Sequence, residues 1–372
     1  MRKICVLHVV GKMDMGGTET LIMNILRSYD RSKYKMEVLV HDTSDSFFDD
    51  ELNQLGIAVH YIKKFNGKNL FSYIHDLHSF YRKNKFDIVH GHLSSSASIY
   101  LGIAKKYNMK TIAHSHSIYS FSFHSILHKI LTFSTRYISD YFCAPTKAAG
   151  VDRYGKKITN SEKFFLVKNG FFMDKYLFDT DVRNLIRRSL NIKENEKIAI
   201  HIGRFTNSKN HIKLLRVFQN MISEGQNLKL LLIGAGELES NINSYIIENH
   251  LEEKVDVLGL RRDIPQLLMA SDVFVFPSLN EGLGIALIEA QATGLPCVIS
   301  DRIPQEAVLN KKSVEILSLS DNDSDWSRIV RDSIEIPINR KIGFLEVKRA
   351  GYDIADVVEN LQRYYFDILQ GD

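Results

Sequence analysis

The stretch Glu281-Gly-Leu-Gly-Ile-Ala-Leu-Ile-Glu289 follows Ser278-Leu-Asn280 at the end of an apolar run and places a carboxylate at either end of a helix-patterned segment. Its two glycines, Gly282 and Gly284, flank Leu283 where that pattern begins. A helix N-terminus leaves backbone N–H groups unpaired, so glycines there offer an anion donors that no side chain obstructs. Eight helical residues at about 1.5 Å each would part the two carboxylates by roughly 12 Å. That span suits a sugar nucleotide held at both ends. It exceeds the roughly 5 Å of a retaining glycosidase pair and the roughly 6.5–9.5 Å of an inverting one, which argues against hydrolysis by these two groups.

Cations and glycines recur at the ends of other apolar runs. His201-Ile-Gly203-Arg204-Phe-Thr-Asn-Ser-Lys209-Asn210 follows one of them. Ligands of open α/β sheets lie outside the carboxyl ends of the strands, so Arg204 and Lys209 are placed to meet an anion. A guanidinium fork and an ammonium together can neutralise a diphosphate, and a departing nucleoside diphosphate gains negative charge as its bond to sugar breaks. Taken alone, the pair also reads as surface charge in a loop. Ile233-Gly234-Ala-Gly236-Glu237 starts like a dinucleotide fingerprint, but Glu239 stands where the third glycine belongs, which argues against nicotinamide or flavin. Its glycines serve close approach to a ligand or simply a tight turn. Met15-Gly16-Gly17-Thr18-Glu19 forms a further glycine-rich strand-to-helix turn without the Gly-Lys-Ser/Thr of a P-loop. It lines a crevice from the opposite side, or is an ordinary helix start capped by Thr18.

His114, His116, His124 and His128 crowd into fifteen residues, yet no His-Glu-x-x-His motif or nearby carboxylate completes a set of three convergent ligands, so no metal is expected. His114 and His116 follow a strand, and one of them should face the crevice, where imidazole can donate to a sugar hydroxyl; a structural role is the alternative for each. No Ser-His-Asp or Cys-His arrangement and no G-x-S-x-G elbow supplies a nucleophile.

The elements that must position these groups alternate along the chain. Strand-like runs at 3–10, 34–41, 58–62, 86–90, 110–114, 141–144 and 163–167 alternate with helical stretches, and the rhythm repeats at 197–202, 228–233, 255–258, 273–277, 296–300 and 314–317. Two doubly wound α/β domains follow, which also suits 372 residues at 44% hydrophobic content. Lys168-Asn-Gly170 is a turn signal, setting domains at 1–170 and 171–351, and the helical pattern over 352–372 can return to the first domain. Cys5, Cys143 and Cys297 are scattered, with no disulfide framework implied, and no apolar run reaches the ~20 residues of a membrane span. Between Leu101 and Lys175, twelve Lys or Arg face four acids and mingle with Tyr119, Phe121, Phe123, Phe133, Tyr137, Tyr141 and Phe142. This segment reads either as a solvated helix face over core aromatics or as a contact with an anionic membrane, and nucleic acid is not expected.

Gly203-Arg204 with Lys209-Asn210, Gly234-Ala-Gly-Glu237, Asp272-Val-Phe-Val-Phe-Pro-Ser278 and the paired Glu281 and Glu289 together resemble the retaining GT-B glycosyltransferases of family 4. Ala113-His-Ser-His-Ser117 is similar to the bacterial enzymes of capsule and exopolysaccharide assembly. The resemblance implies two Rossmann-like domains facing each other across a cleft, with a C-terminal helix crossing back to the first. It implies transfer from a nucleotide sugar, usually a UDP-sugar, with no cofactor or essential metal. Arg204 and Lys209 would bind the diphosphate beside backbone N–H groups of Gly282, Leu283 and Gly284, with Gly203 and Gly234 in the adjoining turns. Glu289 would take the ribose hydroxyls, Glu281 the donor sugar, and Arg261 and Asp263 the neighbourhood of the base. Gly16 and Gly17 would approach the phosphate or acceptor, and His116, or else His114, a sugar hydroxyl. The expected activity is transfer to a lipid-linked oligosaccharide by a cytoplasmic protein peripheral to the inner face of the cell membrane. A sugar-nucleotide epimerase of the same architecture and a non-catalytic nucleotide-sugar binder are the alternatives.

Overall fold

The computed structural model describes residues 2–116, 126–337 and 339–371, and for residues 126–130 the backbone alone. The chain forms two compact units, Met1–Phe171 together with Tyr352–Asp372, and Phe172–Gly351.

Seven parallel strands make the sheet of the first unit: β1 (Ile4–Val10), β2 (Tyr34–Val40), β3 (Val59–Tyr61), β4 (Ile88–Gly91), β5 (Lys110–His114), β6 (Tyr141–Ala144) and β7 (Phe164–Leu166). Their order is β3-β2-β1-β4-β5-β6-β7, so the winding reverses between β1 and β4. Strands buried on both faces need near-continuous apolar runs, and Val6, Leu7, Val9, Val38, Leu39, Ile88 and Val89 are all fully enclosed. The helix Ile354–Gln370 belongs to this unit and buries Ile354, Val357, Val358, Leu361, Tyr364, Tyr365 and Ile368. Its approach explains Gly170, where an added Cβ would lie 2.8 Å from Val357. Tyr34 Oη donates to the carbonyl of Gln362 at 2.6 Å, which fastens the helix to β2.

The second unit has six parallel strands: β8 (Lys197–Ile202), β9 (Leu228–Ile233), β10 (Val255–Gly259), β11 (Val273–Phe276), β12 (Cys297–Ser300) and β13 (Val314–Leu317). Their order is β10-β9-β8-β11-β12-β13, with the reversal between β8 and β11. Each of the thirteen strands begins and ends within two residues of the run that foretold it. Asp272, just before β11, ties this unit together. It accepts from Arg183 at 2.6 Å, from Arg187 at 3.2 Å and from the backbone N–H of Ile198 in β8 at 2.8 Å. The carboxylate is only 10% exposed, so removing its charge strands two guanidinium groups in a poorly solvated place. Asp272→Asn should lower the unfolding free energy by about 2–4 kcal/mol. Chemical denaturation reads this, and an unchanged midpoint would contradict it.

Candidate functional site

The carboxyl ends of β8 and β11 bring the cationic loop and the glycine loop together. After β8 the chain runs through Gly203 and Arg204 to a short 3-10 turn, Asn207–Lys209, and Asn210 then adopts the left-handed conformation that starts the helix His211–Ser223. Asn210 Nδ2 donates to the carbonyl of Pro277 at 3.1 Å, and Leu279 N donates to the carbonyl of Ser208 at 2.7 Å. These two bonds lace the loop to the chain beyond β11. They set Lys209 Nζ 2.5 Å from Glu281 Oε1 and 5.0 Å from the centre of the Phe276 ring. Arg204, in contrast, is exposed and has no ion-pair partner among the described residues. The loop therefore presents one neutralised and one open cation.

The helix after this loop begins later than its sequence pattern suggests. Gly284 holds φ at 83°, a left-handed value that favours glycine, and the helix spans only Ile285–Ala292. Glu281 thus lies in the loop and Glu289 on the helix, and the ~12 Å spacing derived from eight helical residues does not apply. Leu283 turns its side chain into the core at 4% exposure. The backbone N–H groups of Gly282, Leu283 and Gly284 donate to no described residue. Glu289 accepts a short hydrogen bond from the hydroxyl of Tyr176, carried by the 3-10 turn Met173–Tyr176. Burial pushes the Glu289 carboxyl up to about 7, against the opposing pull of the Tyr176 bond.

Gly203 and Gly234 serve close packing. A Cβ on Gly203 would fall 3.1 Å from Lys209 Cδ, and one on Gly234, whose φ is 142°, would fall 2.1 Å from the carbonyl oxygen of Gly203. What these glycines admit in this structure is the chain itself. Arg261 and Asp263 follow β10 and pair with each other through bonds of 2.8 and 2.6 Å.

In the first unit, Gly16 is the cap residue of the helix Gly17–Ser28, in place of the expected Thr18, and caps it without any side-chain bond. His114 ends β5 and is buried, with His116 two residues on. Burial lowers the affinity of both for protons, holding His114 well below the ordinary imidazole value and pushing His116 down to about 3. His124, and the side chain of His128, lie outside the described residues. The fold adds three histidines that the sequence reading missed: His8 of β1, and His90 and His92 at the end of β4. His92 Nδ1 is 2.8 Å from His116 Nε2, His90 Nε2 is 3.1 Å from His114 Nδ1, and His8 Nδ1 is 3.0 Å from His92 Nε2. His90 Nδ1 lies 2.6 Å from the hydroxyl of Tyr365 on the C-terminal helix. A signal was present in the two His-x-His pairs, because residues two apart on a strand project from the same face. Tyr176 had no such signal.

The raised carboxyl of Glu289 has a stability consequence. Between its ordinary value of 4.5 and about 7, the unfolded chain ionises this group while the fold keeps it protonated, so stability falls as pH rises through that window. At ~1.4 kcal/mol per unit, and with some allowance for residual solvent, the loss by pH 8 is on the order of 2 kcal/mol. Glu289→Gln should therefore match the wild type in denaturant midpoint at pH 5 and exceed it at pH 8. Parallel profiles would refute the assignment.

Two family profiles match the chain, one in each unit: glycosyltransferase family 4 over residues 15–155 and glycosyl transferases group 1 over residues 182–342. The glycosyltransferase EpsF of Bacillus subtilis is 29% identical over 87% of this chain and 86% of its own. The UDP-Gal:alpha-D-GlcNAc-diphosphoundecaprenol alpha-1,3-galactosyltransferase of Escherichia coli is 27% identical, with 79% and 78% covered. The crystal structure of Anabaena HepE in complex with UDP-glucose superposes with a TM-score of 0.81 at 18% identity, covering 98% of this chain and 100% of that one. With a matching profile in each unit and an architecture shared with HepE, the chain belongs to the GT-B glycosyltransferases of family 4.

Proposed function

We propose that the chain transfers a sugar from a UDP-sugar to a lipid-linked saccharide with retention of configuration and without a metal. The observation that carries this reading is the Lys209–Glu281 ion pair between the loops that follow β8 and β11, one of which also carries the exposed Arg204 and the other three backbone N–H groups that donate to no described residue. Two cations and a row of N–H donors can take the charge that a metal ion would otherwise neutralise on a departing diphosphate. In this reading the diphosphate replaces Glu281 as the partner of Lys209, and the freed carboxylate accepts from a hydroxyl of the donor sugar. Glu289 accepts from the ribose, with Tyr176 fixing its orientation, and Arg261 and Asp263 flank the base. The first unit contributes Gly16, Gly17 and His116, or else His114, toward sugar and acceptor. Retention follows from attack on the face the leaving phosphate vacates, with that phosphate drawing off the acceptor proton.

A UDP donor is supported by the name of the Escherichia coli relative and by the UDP-glucose held by HepE, and a lipid-linked acceptor by the diphosphoundecaprenol in that relative's name. Among the described residues no helix is long and apolar enough to cross a membrane. The helix Ile126–Ile138 instead exposes Phe133 by 52% and Tyr137 by 77%, with Arg136 stacked over Phe133. We assign this face to the inner surface of the cell membrane, where aromatic rings sit at headgroup level and a cation meets anionic lipid.

Calorimetric titration with UDP, GDP, ADP and CDP in EDTA should show preferential binding of UDP. Binding of none would sink the diphosphate assignment. Lys209→Ala and Glu289→Ala should each reduce turnover by about 100-fold or more with an unchanged circular dichroism spectrum; wild-type turnover in either would contradict the site. The double change Phe133→Ser and Tyr137→Ser should abolish co-flotation with anionic liposomes, and undiminished flotation would remove the membrane from the proposal.

A further inference from the structure

Five histidines from three adjacent strands, β1, β4 and β5, meet on one face of the first sheet, and none of them is needed to bind a diphosphate. We propose that His92, His114 and His116 form a binding site for a borderline transition-metal ion, with zinc, cobalt and nickel as the class of ligand. Each offers one ring nitrogen, and the three nitrogens lie within 4.8 Å of one another. A tetrahedral ion with bonds of about 2.0–2.1 Å to nitrogen sets its ligands about 3.3 Å apart, so modest ring rotations close the set. The backbone makes this possible twice over. His-Gly-His runs off the end of β4 and His-Ser-His off the end of the neighbouring parallel strand β5, and in each the two rings stack against one another. Gly91 is needed between the first two, because a Cβ there would lie 2.2 Å from Tyr100 Oη on the opposite face.

The hydrogen bonding around the three rings points the same way. His114 Nε2 and His116 Nδ1 are buried and have no partner among the described residues, which is a costly state for ring nitrogens. If His92 donates from Nε2 to His8 Nδ1, and His114 donates from Nδ1 to His90 Nε2, the other nitrogen of each ligand keeps its lone pair. His8 and His90 then act as the outer partners that orient metal-bound imidazoles, and Tyr365 holds His90 in turn. All-imidazole donors without a carboxylate favour zinc, cobalt, nickel or copper over calcium or magnesium. A second triad, His8, His90 and His92, is wholly buried, whereas His116 is partly exposed and gives an ion a way in.

The site lies within the first unit, and binding is read without any transfer reaction. Protein free of any histidine tag, stripped with EDTA and then freed of it, is titrated with Co2+ and followed by visible absorption. One equivalent should produce the ligand-field bands of a tetrahedral nitrogen-coordinated ion, and Zn2+ should bleach them. His116→Ala, at a partly exposed position, should lose the bands while keeping its circular dichroism spectrum. His92→Ala should lose them too, and His250→Ala, on an exposed turn of the second unit, should keep them. Absence of bands in the wild type, or their persistence in His116→Ala, would overturn the site. UDP titration in EDTA reports on the donor proposal separately, so failure of either reading is visible without the other.

Discussion

In a parallel sheet every strand delivers its carboxyl end to the same edge, and the chemistry of this chain depends on that constraint. Crossover helices return the chain to the opposite edge each time, so residues dozens of positions apart are brought to one rim. In the first unit this gathers His92, His114 and His116 with the glycine turn at Gly16. In the second it gathers Arg204, Gly234, Arg261 and Glu281. The sequences of the strands serve burial, and the loops that follow them carry the polar groups. Tight loop packing, through Gly203 against Gly234 and Asn210 against Pro277, turns that coarse placement into defined contacts.

Two of the ligand-free groups already have partners within the chain. Lys209 is occupied by Glu281, and Glu289 is held by Tyr176. A nucleotide entering the second unit would exchange one set of partners for another, and its net affinity would be the difference between the two. Such an arrangement keeps a cation and a carboxylate from standing unpaired in a partly desolvated place. It also means that the separation of donor groups from one another matters less than which of them a ligand can release.

Strand positions were legible because continuous Val, Ile and Leu runs bounded by turn residues have few other uses in a chain of this composition. The start of the helix at Ile285 was not, because the glycine pattern fits a helical N-terminus and a left-handed turn alike, and Gly284 takes the turn. The cations and carboxylates of the second unit could be named from spacing, but the pairing of Lys209 with Glu281 depends on bonds between two loops seventy residues apart. The histidine cluster shows the same divide. Counting along the chain found the pair after β5, whereas its neighbours in β1 and β4 follow only from the strand order. Tyr176 is further still from any motif, since one tyrosine in a run with Phe171, Phe172 and Phe178 carries no sign of the carboxylate it will meet.

The first unit is built from both ends of the sequence, with Tyr352–Asp372 added to Met1–Phe171. During synthesis the whole of Phe172–Gly351 emerges before that last helix does. At about 5–20 residues per second, the delay is roughly 10–40 s. Throughout that interval Tyr365 is not there to meet His90, and the apolar surface beneath Val357, Leu361 and Ile368 has nothing of its own to cover it. The second unit, complete in one stretch, can reach its native packing first, so the order of folding runs against the order in which the two units begin to be made.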